Sequence, residues 1–147
     1  MFDIKRSVVG HCRVEDGTTI KLRVAINDIV EAAGPQSPTG VPIALNTSVT
    51  VSADSPQALK DMVADKPQFP AGGSEYQRRE IWEIVEFAKV TNSSEEAEYK
   101  GSDGLRYLIS VELEPTIVAR SLAYKAEMGN PTYYVRWSDK TAIRLAR

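Results

Sequence analysis

The sequence predicts an α+β fold, an antiparallel sheet of about five hairpin-built strands with two or three helices packed on it. Three observations predict it. Apolar and polar residues alternate over 19–27 and again over 105–114, the period that gives a strand one buried face. Ser55 followed by Pro56, and Ser74 followed by Gln77, read as helix starts. A stretch with three alanines, 117–128, runs into Gly129-Asn130-Pro131, a helix stop. The alternative on the same residues is a mostly-β barrel in which 81–91 and 97–101 are strands.

Residues 1 to about 30 read as a hairpin turning at Glu15-Asp16-Gly17. On the second arm Ile20, Leu22, Val24 and Ile26 point one way, while Lys21, Arg23 and Asn27 point the other. A two-residue Asp16-Gly17 turn would oppose Val14 to Thr19 and Arg13 to Ile20, mixing the faces, because a slip of one residue flips every side chain. A three-residue loop with glycine in its third, left-handed position restores the parity. It opposes Val14 to Thr18, Cys12 to Ile20, Gly10 to Leu22 and Val8 to Val24.

Further along, 34–42 is a proline- and glycine-rich loop and 43–52 a strand. A helix covers Pro56 to about Ala64, ending before Lys66-Pro67, and 66–73 is a second loop. Residues 74–91 are read as helix from the capping pattern and the Arg/Glu-rich run, although Ile81, Trp82, Ile84, Val85, Phe87 and Val90 lean towards strand. Residues 92–104 are polar and loop-like, with part able to pair as a strand. Leu105, Tyr107, Ile109, Val111 and Leu113 make the second clear strand. A helix follows over 117–128, and a final hairpin has arms near 132–137 and 141–146 about Ser138-Asp139-Lys140.

A length of 147 residues implies one domain, 1–147, and a composition 42% hydrophobic and 26% charged is that of a globular chain. No apolar run approaches the ~20 residues that span a bilayer, and the first residues lack the apolar core of a secretion signal. The single cysteine, Cys12, has no internal partner for a disulfide. A cytoplasmic location without membrane association is therefore expected. The net charge of −2 is unevenly spread: residues 31–115 carry seven Lys/Arg against fourteen Asp/Glu, and 116–147 carry six against two. The basic end is the part suited to anions.

Soft-metal chemistry has almost no ligands here, since the only histidine and the only cysteine are adjacent as His11-Cys12. Neighbouring strand residues face opposite ways, which puts Cys12 inside and His11 outside near Lys21 and denies them a Cys–His dyad. Neither a Gly-x-Ser-x-Gly elbow nor a Walker loop occurs. Gly72-Gly73 ahead of a helix is a weak anion signal. Glu80, Glu83 and Glu86 would share a face if helical, which is the one carboxylate grouping suited to acid–base work.

The most suggestive grouping is basic and aromatic. Tyr134, Arg136 and Arg144 fall on one face of the last hairpin with Lys140 in its loop, and Arg13, Lys21 and Arg23 on the polar face of the first, a pattern that single-stranded nucleic acid exploits by stacking and phosphate contact. The functional expectation is a non-enzymatic cytoplasmic binding or assembly module that forms homo-oligomers or takes a protein partner. No cofactor, metal or catalytic residue is expected. A nucleic-acid-binding domain using those seven residues is the alternative, and an enzyme centred on Glu80, Glu83 and Glu86 is the third reading.

Overall fold

A computed structural model describes residues 2–35, 37–70 and 74–146, the side chains of 75 and 76 excepted. The chain is mostly β. Its strands are β1 (Phe2–Val8), β2 (Gly10–Val14), β3 (Thr19–Glu31), β4 (Ile43–Asp54), β5 (Glu83–Val85), β6 (Phe87–Thr91), β7 (Ser93–Lys100), β8 (Arg106–Lys125) and β9 (Pro131–Leu145). Among the described residues the one α-helix is α1 (Gln57–Met62), and short 3-10 turns occupy Ser74–Gln77, Arg79–Ile81 and Glu127–Gly129.

Every strand pairing is antiparallel, and two sheets result. In the first, β1, β7, β8 and β9 lie side by side, with β5 on the distal part of β8. The second runs β4-β3-β2-β6. The sheets face each other across an apolar core. Leu22, Val24, Ile26 and Ile29 of β3 meet Ala97 and Tyr99 of β7 and the inward residues Tyr107, Ile109, Val111 and Leu113 of β8. A second cluster joins Cys12, Val14 and Ile20 to Val85, Val118 and Val135.

The first hairpin has the register expected of its three-residue loop: Gly10 pairs Leu22 and Cys12 pairs Ile20, with His11 beside Lys21 on the outside. The Val14 N–H donates to the Thr18 carbonyl at 2.8 Å, and Gly17 sits at φ +93°. The first arm is shorter than expected. Val8 pairs Ser94 of β7, not Val24, because the chain passes from one sheet to the other at Val9-Gly10. Only glycine fits there: a Cβ on Gly10 would lie 2.4 Å from the Ser93 backbone nitrogen.

Beyond Leu22, β3 has no strand partner on its β2 side, and side chains replace one. Ser93 Oγ accepts the Val24 N–H at 2.9 Å and Glu95 Oε1 the Ile26 N–H at 2.7 Å. Asp28 Oδ1 accepts the Ile29 N–H at 2.9 Å. Glu95 is 4% exposed, and its other oxygen accepts a hydrogen bond from Ser7 at 2.9 Å. This polar seam joins the two sheets at one corner.

The helix-rich expectation is overturned. The helix at 56–64 exists as the short α1, but 74–91 forms 3-10 turns followed by β5 and β6, and of 117–128 the residues up to Lys125 continue β8 as strand, a 3-10 turn following from Glu127. Partners decide it: β9 pairs with β8 from Tyr107 to Lys125, and that ladder overrides the weak helix preference of the alanines. Pro115 does not end the strand because it sits at a bulge between Pro115 and Ile117. The final hairpin is also absent, as Ser138-Asp139-Lys140 lies within the unbroken β9, with Lys140 directly across from Glu112. Nor does a barrel close, although 83–85, 87–91 and 93–100 are strands.

Candidate functional site

Side-chain alternation places each basic residue of the nucleic-acid expectation. Tyr134, Arg136, Lys140 and Arg144 share the outer face of β9, opposite in direction to the buried Val135. Arg13 of β2 and Lys21 and Arg23 of β3 share the outer face of the other sheet, alternating with Cys12, Ile20, Leu22 and Val24 of the core. The two sets therefore project from opposite sides of the sandwich. One strand of nucleic acid cannot lie across both.

The first set is also less open than the sequence implies. The Tyr134 ring lies 6.1 Å from that of Trp82, and Phe69 packs against Trp82 at 5.8 Å and Tyr124 at 5.3 Å. The segment before β5 thus folds over the outer face where β9 begins. Trp137, on the inward side of β9, is 38% exposed at the open margin of the core. Around the second set, Lys21 pairs Ser52 and His11, and Arg23 pairs Thr50, so the cross-strand neighbours of these two are two hydroxyls and one imidazole, with no Tyr, Trp or Phe among them.

The carboxylate grouping does not assemble. Without a helix the three-residue spacing loses its meaning. Glu80 is paired with Arg78 at 2.9 Å, and Glu83 with Arg120 at 2.6 Å. Glu86 is exposed between β5 and β6. Gly72-Gly73, the glycine pair read as an anion signal, lies outside the described residues. Among the described residues no group of three or more His, Cys, Asp or Glu side chains is disposed to hold a metal ion. No helix among them is long and apolar enough to cross a membrane. Burial pushes the Cys12 thiol above its ordinary pKa, which makes it less reactive.

The densest polar arrangement was not visible in the sequence, because its members come from distant segments. Asp16, in the hairpin loop, accepts from Tyr133 Oη at 2.6 Å, from Arg120 at 2.8 Å and from the Thr18 N–H at 2.9 Å. The Thr18 hydroxyl bonds those of Ser55 and Tyr133, and Asn130 Oδ1 accepts the Ser55 N–H. Burial pushes Asp16 up, but the hydrogen bonds from Tyr133, Thr18 and Arg120 outweigh it and hold the carboxyl below its usual range. Burial and the bond to Asp16 push the Tyr133 hydroxyl up to about 12, far from a useful base at neutral pH. Among the described residues no buried side-chain polar atom lacks a hydrogen bond. The network is a closed clamp tying the hairpin loop, the start of α1, β8 and β9 together.

The free sheet edges differ sharply. β1 carries Asp3, Lys5 and Arg6 and a bulge between Ile4 and Arg6. β5, at the end of the first sheet, is three residues long, and β6 is five residues long and holds Lys89 at φ +53°. β9 carries Arg136, Asp139, Lys140 and Arg144. These are the devices by which proteins discourage edge pairing. β4 has none of them. From Ile43 to Ala53 it contains no charged residue and no proline, and its pairing with β3 gives it no bulge of its own. Comparison of the chain with protein-family models, with curated proteins and with solved structures finds no match in any of the three.

Proposed function

We propose that the protein is a non-enzymatic, cytoplasmic binding or assembly module that engages its partner by strand addition at the edge of its second sheet. The observation that carries this is the contrast between the guarded edges and β4. A long, uncharged, unbulged edge exposes a row of backbone donors and acceptors that can template another strand. The closed hydrogen bonding of the Asp16–Tyr133 clamp and the dispersed carboxylates favour binding over catalysis.

The test uses an uncharged Thr-Val repeat peptide flanked by lysines. Strand addition protects the amides of Leu45, Thr47, Val49 and Val51 from exchange when the peptide is present. Unchanged exchange at those four, with no self-association of the protein, would refute the reading.

Nucleic-acid binding is the second reading, favoured by the lack of ion pairs among the described residues at Arg13, Lys21, Arg23, Arg136, Lys140 and Arg144. Retention of single-stranded DNA or RNA at low salt, weakened in either the Arg136→Ala/Arg144→Ala or the Arg13→Ala/Arg23→Ala chain, supports it. The variant that loses retention identifies the face.

A further inference from the structure

We infer that the strand added to β4 is β4 of a second copy of this chain, in an antiparallel two-fold pairing centred on Thr47. The inference rests on the binding-module reading and specifies its partner.

The hydrogen bonds fix which groups point outwards. The N–H groups of Val24, Ile26 and Ile29 go to Ser93, Glu95 and Asp28, away from β4. Their partners across the ladder are Val49, Thr47 and Leu45, which therefore form non-hydrogen-bonded pairs with β3. The Ala32 N–H donates to Pro42 O, which sets the same parity at the other end. Ile43, Leu45, Thr47, Val49 and Val51 thus present their N–H and C=O groups to the free edge. Ala53 is already engaged, since its carbonyl accepts from Asn130 Nδ2 at 2.9 Å. The open edge runs from Ile43 to Val51 and has Thr47 at its centre.

A two-fold axis at Thr47 uses all of that edge. Thr47 faces Thr47, Leu45 faces Val49 and Ile43 faces Val51 on the core side, where Val51 is 39% exposed. On the outer side Asn46 faces Ser48 and Ala44 faces Thr50. Every pair is apolar with apolar, or polar with a hydroxyl or small residue, and no charge meets a like charge. The same scheme on β9 centred at Asp139, the middle of 133–145, opposes that carboxyl to itself, and centred at Lys140 it opposes two lysines. An isologous contact of this kind closes on a dimer and does not propagate into a fibre. It would join the two four-stranded sheets into one of eight.

Sedimentation of the full chain tests the association, and engineered cysteines test the register. Asn46 and Ser48 are exposed and would form a non-hydrogen-bonded pair with Cα atoms about 4.5 Å apart, within reach of a disulfide. Under a mild oxidant such as diamide, an equimolar mixture of Asn46→Cys and Ser48→Cys chains cross-links, and neither alone does; native Cys12 is buried and stays out of the reaction. Thr47→Pro removes two edge hydrogen bonds by symmetry, spares the β3 ladder, and weakens the dimer about 30-fold. Cross-linking of Ser48→Cys with itself, or a dimer indifferent to Thr47→Pro, overturns the proposed pairing. A chain that stays monomeric yet gains protection along β4 from the Thr-Val peptide overturns self-pairing alone, whereas loss of both removes the binding-module reading as well.

Discussion

Glu95→Ala should be among the most destabilising single changes at a polar position in this chain. The substitution removes the acceptor of the Ile26 N–H, whose residue is 5% exposed, and leaves that donor buried without a partner. An orphaned buried amide costs about 1–3 kcal/mol. The Ser7 hydroxyl loses its partner too, but Ser7 is exposed and water replaces the bond at small cost. The void left by the side chain adds about 1 kcal/mol, for a total of about 2–4 kcal/mol. With a urea m-value of about 2 kcal/mol/M, the unfolding midpoint falls by about 1–2 M. Glu95→Gln keeps an acceptor oxygen and should recover half or more of the loss. Glu98→Ala is the control: it lies half-buried on the outer face of the same strand, its 3.3 Å bridge is to an exposed Arg106, and its loss costs under about 1 kcal/mol. Equal midpoints for Glu95→Ala and Glu98→Ala would refute the role given to the seam.

Three further outcomes are expected. Tyr133→Phe loses the bonds to Asp16 and Thr18 and should cost about 1–2 kcal/mol by urea unfolding at pH 7. The tyrosine titrates near 10.0 when unfolded and about 12 in the fold, so its contribution is whole below pH 10 and lost as pH climbs through 12; the gap between wild type and Tyr133→Phe should narrow over that window. Asp16, held below its ordinary 3.8, contributes above that pH and loses its contribution as pH falls through the folded value, so Asp16→Asn should flatten the acid limb of the stability profile. Gly10→Ala drives a Cβ into the backbone at Ser93 and Thr91 and should cost about 3 kcal/mol or more, or prevent soluble folding, as read by thermal melting and circular dichroism.

The hairpin register was legible because two independent constraints agreed, the alternation of Ile20, Leu22, Val24 and Ile26 and the left-handed glycine at 17. Cys12 and His11 fell on their correct sides for the same reason. Two of the departures share one cause. Over 117–125 and 138–140 local signals favoured a helix and a turn, but each segment is held as strand beside a partner elsewhere in the chain. Nothing local to 131–145 announces that its ladder mate is 107–125. Alternation alone gives the outward side of Tyr134, Arg136 and Arg144 and of Arg13, Lys21 and Arg23 on their own strands, whereas Lys140, expected in a loop, lies within β9, and the separation of the two sets onto opposite sides depends on how the two sheets stack. The Asp16 clamp gathers residues from four segments and has no sequence spacing at all. The unguarded edge was legible in part, since an uncharged run from 43 to 53 can be read directly, while its position at the margin of a sheet cannot.

The seam between β7 and β3 also bears on how the molecule reaches its fold. Its two bonds join residues 69 apart in sequence, whereas the β2–β3 turn closes over three residues. Loop-closure entropy sets the order: the hairpin forms early and the seam only after the chain has come back on itself. Since the seam binds one sheet to the other, neither sheet can open without breaking it. The amides of Val24 and Ile26 should exchange only through global unfolding, at the same rate as the slowest amides of β8.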